Sequence, residues 1–217
     1  IEPFQASNVG VLKTWSPFMH DCFGQPLKRV NAWVHADQQT HGDIVITHYG
    51  LESGVVYKLG RELRNLNKQN QKLKLHLDLL PDVSIEQLIQ KLQGNKKQSL
   101  TNLWRKAGLD TVKINLLREI VDKRFWSDAK QMAQQIKQLA IDLDGFRPIE
   151  EAISCAGGVK QEALSAQLQL QSNPHVFCCG EMLDWDAPTG GYLLTACFAT
   201  GRAAGQGVHE FLESSSV

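Results

Sequence analysis

Hydrophobic and polar positions divide the 217-residue chain into three stretches. In the first, apolar residues tend to recur at every second position. "LKRVNAWVHA" (27–36) and "KLKLHLDLLP" (72–81) alternate in this way and predict half-buried strands. Pro81, which has no N–H for a ladder, ends the second. "GDIVITHYG" (42–50) is a short apolar run that predicts a buried strand stopping at Gly50. Between these strands Val56, Leu59, Leu63 and Leu66 share one helical face, which predicts a helix over 53–66.

The period then lengthens. In "DVSIEQLIQKL" (82–92) Ser84 stands at an N-cap position with Gln87 three residues on, the spacing of a capping box, and Gly94 is placed to close that helix. Segments 99–109, 111–125 and 127–141 follow with short breaks and predict a small helical bundle with basic outer faces. After the turn-rich "DLDGFRP" (142–148), "EEAISCAGGV" (150–159) predicts a strand entering a double-glycine turn. The apolar run Val176–Cys179 predicts a short strand ending at Gly180 and Glu181. A loop with Asp184 and Asp186 leads to a predicted helix over 189–212. Its Ala196, Ala199, Ala203 and Ala204 would let the backbone pack closely against a sheet or a cofactor. The fold class expected is α+β: a β-rich, barrel-like part over 1–81, a helical part over 82–147, and a strand–loop–helix segment over 148–217.

Composition narrows the function classes. Formal net charge is zero, so no overall field draws the chain to nucleic acid or membrane. The charge is uneven, with 15 Lys/Arg against 7 Asp/Glu over 58–124 and 3 against 9 over 143–217. The basic helical faces open one alternative, a non-enzymatic interaction module binding a protein or RNA. The absence of an arginine cluster or interleaved aromatics disfavours nucleic acid and favours a solvated face. Five irregularly spaced cysteines do not make a disulfide framework. They read as small buried residues of a reducing, cytoplasmic compartment. No apolar run reaches the roughly 18 residues a membrane span needs. No histidine spacing suggests a metal, and no GxSxG suggests a nucleophilic triad.

The richest chemistry lies near the end, in "CCGEMLDWDAPTGGYLLTACFATGRAAGQGV" (178–208). A carboxylate at the end of a strand, Glu181, can accept hydrogen bonds from sugar or polyol hydroxyls. Thr189, Gly190 and Gly191 precede a helix, whose unpaired N–H groups and dipole favour partial negative charge. Glycine lets a flat ligand come close. This combination fits a flavin nucleotide; it also fits a strand–loop–helix whose glycines serve only the turn.

The run from Gly180 to Val208 resembles the C-terminal signature of the aminoacetone-oxidase-like FAD-binding flavoproteins, a family of NAD(P)/FAD-dependent oxidoreductases. The resemblance extends along the whole chain and keeps its order. "PFQASNVGVLKTWS" and "GQPLKRVNAWV" are similar to the start of that family's inserted domain. "GDIVITHYGLESG" is similar to its THYGxSG segment, "LDLLPDVSIEQL" to its LDLLPDLS-type segment, and "EAISCAGGV" to its return strand. The resemblance implies that Gly157, Gly158 and Val159 lie beside the flavin and that Gly180 and Glu181 meet the ribityl chain. It implies that Thr189, Gly190, Gly191, Tyr192 and Leu193 form the helix start under the pyrimidine. Many members carry Asn after the GGY; Leu193 leaves only a backbone contact there. His48 and Tyr49, at the end of the predicted strand just before Gly50, are candidates to face a small-molecule substrate; the other reading is a histidine satisfied by a backbone carbonyl near a turn.

The family's Rossmann-type half carries a GxGxxG fingerprint, and this sequence has none. The expectation is therefore an inserted domain plus a C-terminal return segment, lacking the N-terminal FAD-binding half, either as a fragment or as one chain of a split protein. FAD would belong to the complete protein, with hydride arriving from a reduced substrate or from NAD(P)H. The isolated chain would be inactive, and a swapped homodimer is one way to cover the apolar surface left exposed.

Overall fold

The computed structural model describes residues 1–93 and 98–214. Its strands are β1 (Glu2–Ser7), β2 (Val11–Leu12), β3 (Pro26–Trp33), β4 (Thr40–Thr47), β5 (Gly50–Glu52), β6 (Lys74–Asp78), β7 (Leu139–Asp142), β8 (Gly145–Phe146) and β9 (Ser154–Gly158). Its α-helices are α1 (Gly54–Lys68), α2 (Ile85–Leu92), α3 (Leu100–Ala107), α4 (Thr111–Ile120), α5 (Ala129–Lys137) and α6 (Tyr192–Ser214). The chain forms two compact units, residues 10–147 and residues 1–9 with 148–217. The class is α+β.

In the unit of residues 10–147 an antiparallel sheet runs β7-β6-β3-β4-β5-β2-β8. Alternation decides which face is buried: Leu27, Val30 and Ala32 of β3, Ile44 and Ile46 of β4, Leu75 and Leu77 of β6, and Leu139 and Ile141 of β7 are all fully buried. Each of these side chains except the small Ala32 contributes roughly 1.5–3 kcal/mol by leaving water. The two outermost strands, β7 and β8, are joined only by Leu143 and Asp144. The Leu143 N–H bonds the Leu73 carbonyl at 2.9 Å, and the Asp144 N–H bonds the Leu12 carbonyl at 2.8 Å. This link draws the two edges together and gives the sheet its barrel-like form.

Local capping fixes the helices around it. The Ser53 hydroxyl accepts from the N–H groups of Val55 and Val56 at the start of α1. Ser84 and Gln87 make the reciprocal capping box expected for α2. Asp110 and Asp128 cap α4 and α5. Trp104, fully buried, stands edge-on to Trp126 within the helical part. Gly94, expected to close α2, lies outside the described residues.

In the other unit β1 pairs antiparallel with β9, Gln5 opposite Ala156 and Ser7 opposite Ser154. α6 packs through Ala204 and Gly207. A Cβ at Gly207 would stand 2.7 Å from the Gln167 carbonyl oxygen, so this contact requires glycine.

The structure corrects the sequence reading at several points. Residues 139–141, expected to finish the last helix of the bundle, belong to β7, because Leu75 and Leu77 of β6 offer Ile141 and Leu139 a ladder and a buried face. The strand expected to stop at Gly50 ends at Thr47; His48 and Tyr49 turn the chain, and Gly50 opens β5. A Cβ at Gly50 would meet the Val11 carbonyl oxygen at 2.1 Å, so pairing with β2 demands glycine. The helix expected over 111–125 ends at Ile120. Val176–Cys179 is not a strand: Phe177 makes a single bridge to Gln169, and no neighbour continues a ladder. Glu181 therefore sits in a tight helical turn, Gly180–Met182, rather than at a strand end. All five cysteines are free, but only Cys22 and Cys178 are buried; Cys179 is exposed.

Candidate functional site

Three segments of the unit of residues 1–9 and 148–217 come together. The Val159 N–H bonds the Met182 carbonyl and the Asp184 N–H bonds the Val159 carbonyl, both at 2.9 Å, so the end of β9 lies against the turn at 180–184. That turn lies in turn on α6. The Gly180 N–H bonds the Thr200 hydroxyl at 3.0 Å, about 12 Å beyond the helix start at 1.5 Å per residue. Gly157–Val159 and Gly180–Glu181 are thus neighbours, and Thr189–Leu193 opens the helix on which the turn rests about two turns further on.

The glycines in it divide by what surrounds them. Gly157 and Gly158 have φ of +99° and +136°, and a Cβ there would stand 2.4 Å from the Pro3 oxygen and 2.6 Å from the Met182 oxygen. The protein's own backbone accounts for both. Gly190 and Gly191 also have positive φ, +120° and +91°. Yet a Cβ at Gly191 would meet nothing within 4 Å, and one at Gly190 only the Tyr192 ring. Thr195 makes the first hydrogen bond of α6, to the Gly191 carbonyl at 3.0 Å. The N–H groups of Tyr192, Leu193 and Leu194 precede it and lack helical partners. The start of α6 is open to close approach, and Glu181 is exposed.

A buried polar knot holds the loop before α6. The Ser7 hydroxyl donates to Asp186 at 2.5 Å. The Asn8 side-chain amide donates to the Ser154 hydroxyl at 2.6 Å and to the Ala187 carbonyl at 2.8 Å. Asn8 is 1% exposed, has φ of +48°, and its side-chain oxygen has no partner. Sequence reading missed Ser7 and Asn8. The residues they hold are 146 and 179 positions away, and only an Asn able to adopt positive φ hinted at a special site. Asp186 is spent on this knot, while the Asp184 backbone serves β9.

His48 and Tyr49 lie in the other unit. His48 is exposed, with its ring edge-on to Tyr49 at 5.0 Å. The Tyr49 hydroxyl donates to Glu52, and the Arg147 guanidinium lies 4.5 Å over the Tyr49 ring. Burial first, and then the Glu52 carboxylate, push the Tyr49 hydroxyl up to about 12, so it stays protonated at neutral pH. Burial and the same carboxylate also raise Tyr57.

Several cations of the basic helical faces are committed inside the fold. The Lys113 ammonium is buried and donates to the Leu79 carbonyl. Arg118 lies 5.9 Å from both Trp104 and Trp126. Among the described residues no group of three His, Cys, Asp or Glu could hold a metal ion, and no helix is long and apolar enough to cross a membrane.

A curated relative, the 3-dehydro-bile acid delta(4,6)-reductase of Clostridium scindens, is 24% identical over 184 residues, which are 78% of this chain and 44% of that protein. The chain therefore spans less than half the length of that relative. The family described as the HI0933-like protein barrel and H2TH domain matches residues 5–154. The match takes in the closed sheet, the helices packed on it and His48 and Tyr49, and stops before Gly157. With more than half of its length matched, the chain belongs to the family of HI0933-like proteins that carry this barrel and H2TH domain.

Proposed function

We propose that the chain is the flavin-facing and substrate-facing part of an FAD-dependent oxidoreductase, with the pyrophosphate and adenosine held by a Rossmann-type half outside residues 1–217. One observation carries this reading. The end of β9 lies against the turn at Gly180–Met182, that turn rests on α6, and the start of α6 is unobstructed, in a unit that leaves apolar side chains exposed. A reductase among the relatives supports the redox class.

The residues present fit the group. Gly190 and Gly191 leave room that no protein atom fills, and the free N–H groups of residues 192–194 favour the partial negative charge of a pyrimidine edge. Glu181, exposed beside α6, takes ribityl hydroxyls. Gly157, Gly158 and Val159 run alongside the ring system, with the two glycines shaped by their own backbone neighbours. FAD, when bound, supplies hydride acceptance from a reduced substrate or NAD(P)H. His48 and Tyr49 face the substrate, and Glu52 and Arg147 fix the Tyr49 ring and hydroxyl in one orientation.

The test is flavin retention, read as absorbance near 450 nm after gel filtration, together with the coding sequence upstream of Ile1. The expected outcome is a strand followed by GxGxxG upstream, a yellow longer polypeptide, and a colourless chain 1–217. In the longer polypeptide Glu181→Gln lowers FAD affinity by roughly tenfold, the effect of losing one charged hydrogen-bond partner. Stoichiometric FAD on residues 1–217 alone, or an upstream sequence without that fingerprint, overturns the proposal.

A further inference from the structure

Trp33 is 7% exposed, yet it stands apart from the hydrophobic core. β3 sends Ala32 into that core and Trp33 to the opposite face. There its indole stacks on the imidazole of His76, its neighbour across the β3–β6 ladder, with ring centroids 5.8 Å apart and planes 13° from parallel. The Trp33 N–H has no protein acceptor among the described residues and is not closed off from solvent. The pair lines a cavity of about 710 Å³, within the range of small-molecule sites.

The charges beside this cavity are already satisfied. The Lys137 ammonium pairs with Asp78 at 2.6 Å and donates to the Leu80 and Val83 carbonyls at 2.9 and 2.8 Å, which uses its three donors. The other Asp78 oxygen accepts from the Leu80 N–H at 3.0 Å. Burial, and then the nearby Lys74 charge, lower the His76 pKa and keep its ring neutral at pH 7. What remains for a ligand is an aromatic stack, an indole N–H, a neutral imidazole and the side chains of His35, Gln39 and Gln138.

We propose that this cavity binds an uncharged planar heteroaromatic molecule, seated against the Trp33–His76 stack, with a ring carbonyl or ring nitrogen accepting from the Trp33 N–H. The Lys137 ammonium, spent on Asp78 and two carbonyls, is not free for an anion. This site is independent of the flavin reading and uses none of its residues.

The experiment is a titration of the full chain labelled with ¹⁵N-tryptophan, using adenosine and uracil as probes and AMP as the charged arm. The chain has five tryptophans and so five indole cross-peaks. Trp33→Phe identifies the relevant one by its loss. His76→Ala identifies it by the ring-current change should the first variant not fold. The expected result is a saturable downfield shift of the Trp33 cross-peak with adenosine or uracil, at a Kd on the order of 1 mM or tighter. The other four peaks stay in place, AMP binds no tighter than adenosine, and His76→Ala weakens binding about tenfold. A Trp33 cross-peak unmoved by about 10 mM of either probe overturns the proposal. So does tighter binding of AMP, which would mark an anion site, or an unchanged affinity in His76→Ala.

Discussion

The two units treat apolar side chains in opposite ways. Residues 10–147 bury theirs in one continuous core running from Val11 to Leu143. In residues 1–9 and 148–217 only Val9, Leu164, Cys178 and Ala204 are buried apolar residues among those described. That unit instead exposes Phe4 (60%), Ile153 (63%), Leu194 (60%) and Phe198 (72%). Leu194 and Phe198, four apart, share one face of α6. A closed barrel-like sheet with helices packed on it completes its own core. A two-stranded ladder and one long helix cannot, and they leave apolar side chains exposed.

The largest effect expected from breaking this contrast is in the core. Leu77→Ala should cost about 3 kcal/mol in urea unfolding, from lost burial and the cavity it leaves. Phe198→Ala should change stability by less than about 0.5 kcal/mol. Comparable losses for the two would show that α6 is as well packed as the sheet.

Next is a pair of glycines within the smaller unit. Gly158→Ala puts a Cβ 2.6 Å from the Met182 oxygen at φ +136°, and should cost more than about 2 kcal/mol. Gly191→Ala meets no atom and carries only the strain of φ +91°, about 1 kcal/mol. Hydrogen exchange at the β1–β9 ladder separates them: Gly158→Ala should loosen it and Gly191→Ala should not. A loosened ladder in both would deny the division between backbone-required and open glycines.

The smallest expected effect is a pH dependence confined to the larger unit. The folded-state pKa of His76 lies below its ordinary 6.5. The unfolded chain therefore takes up the proton first as pH falls, and stability drops from about pH 6.5 down to the folded pKa. Thermal midpoints at pH 7 and pH 5 should fall further in the parent chain than in His76→Gln. Equal falls would remove His76 as the cause.

Legibility followed locality. Ser84 and Gln87 announced α2, and Val56, Leu59, Leu63 and Leu66 announced α1, because caps and helical faces involve residues three or four apart. The alternation in 72–81 announced β6 for the same reason. Residues 139–141 were misread because "LAID" follows a good helical pattern, and only the ladder with β6 makes it a strand. Val176–Cys179 was misread in the other direction: it has strand composition, but only Phe177 makes a bridge, to Gln169, and no ladder forms. At the candidate site the residue types at Glu181 and Gly190–Gly191 were readable. That Ser7 and Asn8 fasten the loop before α6 was not.

By itself the sequence determined the α+β class, most of the elements and the family, since these rest on periodicity, capping and ordered motifs. The tertiary structure alone decided three things: that Leu143 and Asp144 join the edges of the sheet, that residues 2–7 pair with 154–158, and which glycines answer to backbone and which stand open. The physical reason is the same in each case. Hydrogen bonds and steric contacts between residues far apart in the chain leave no periodic trace along it.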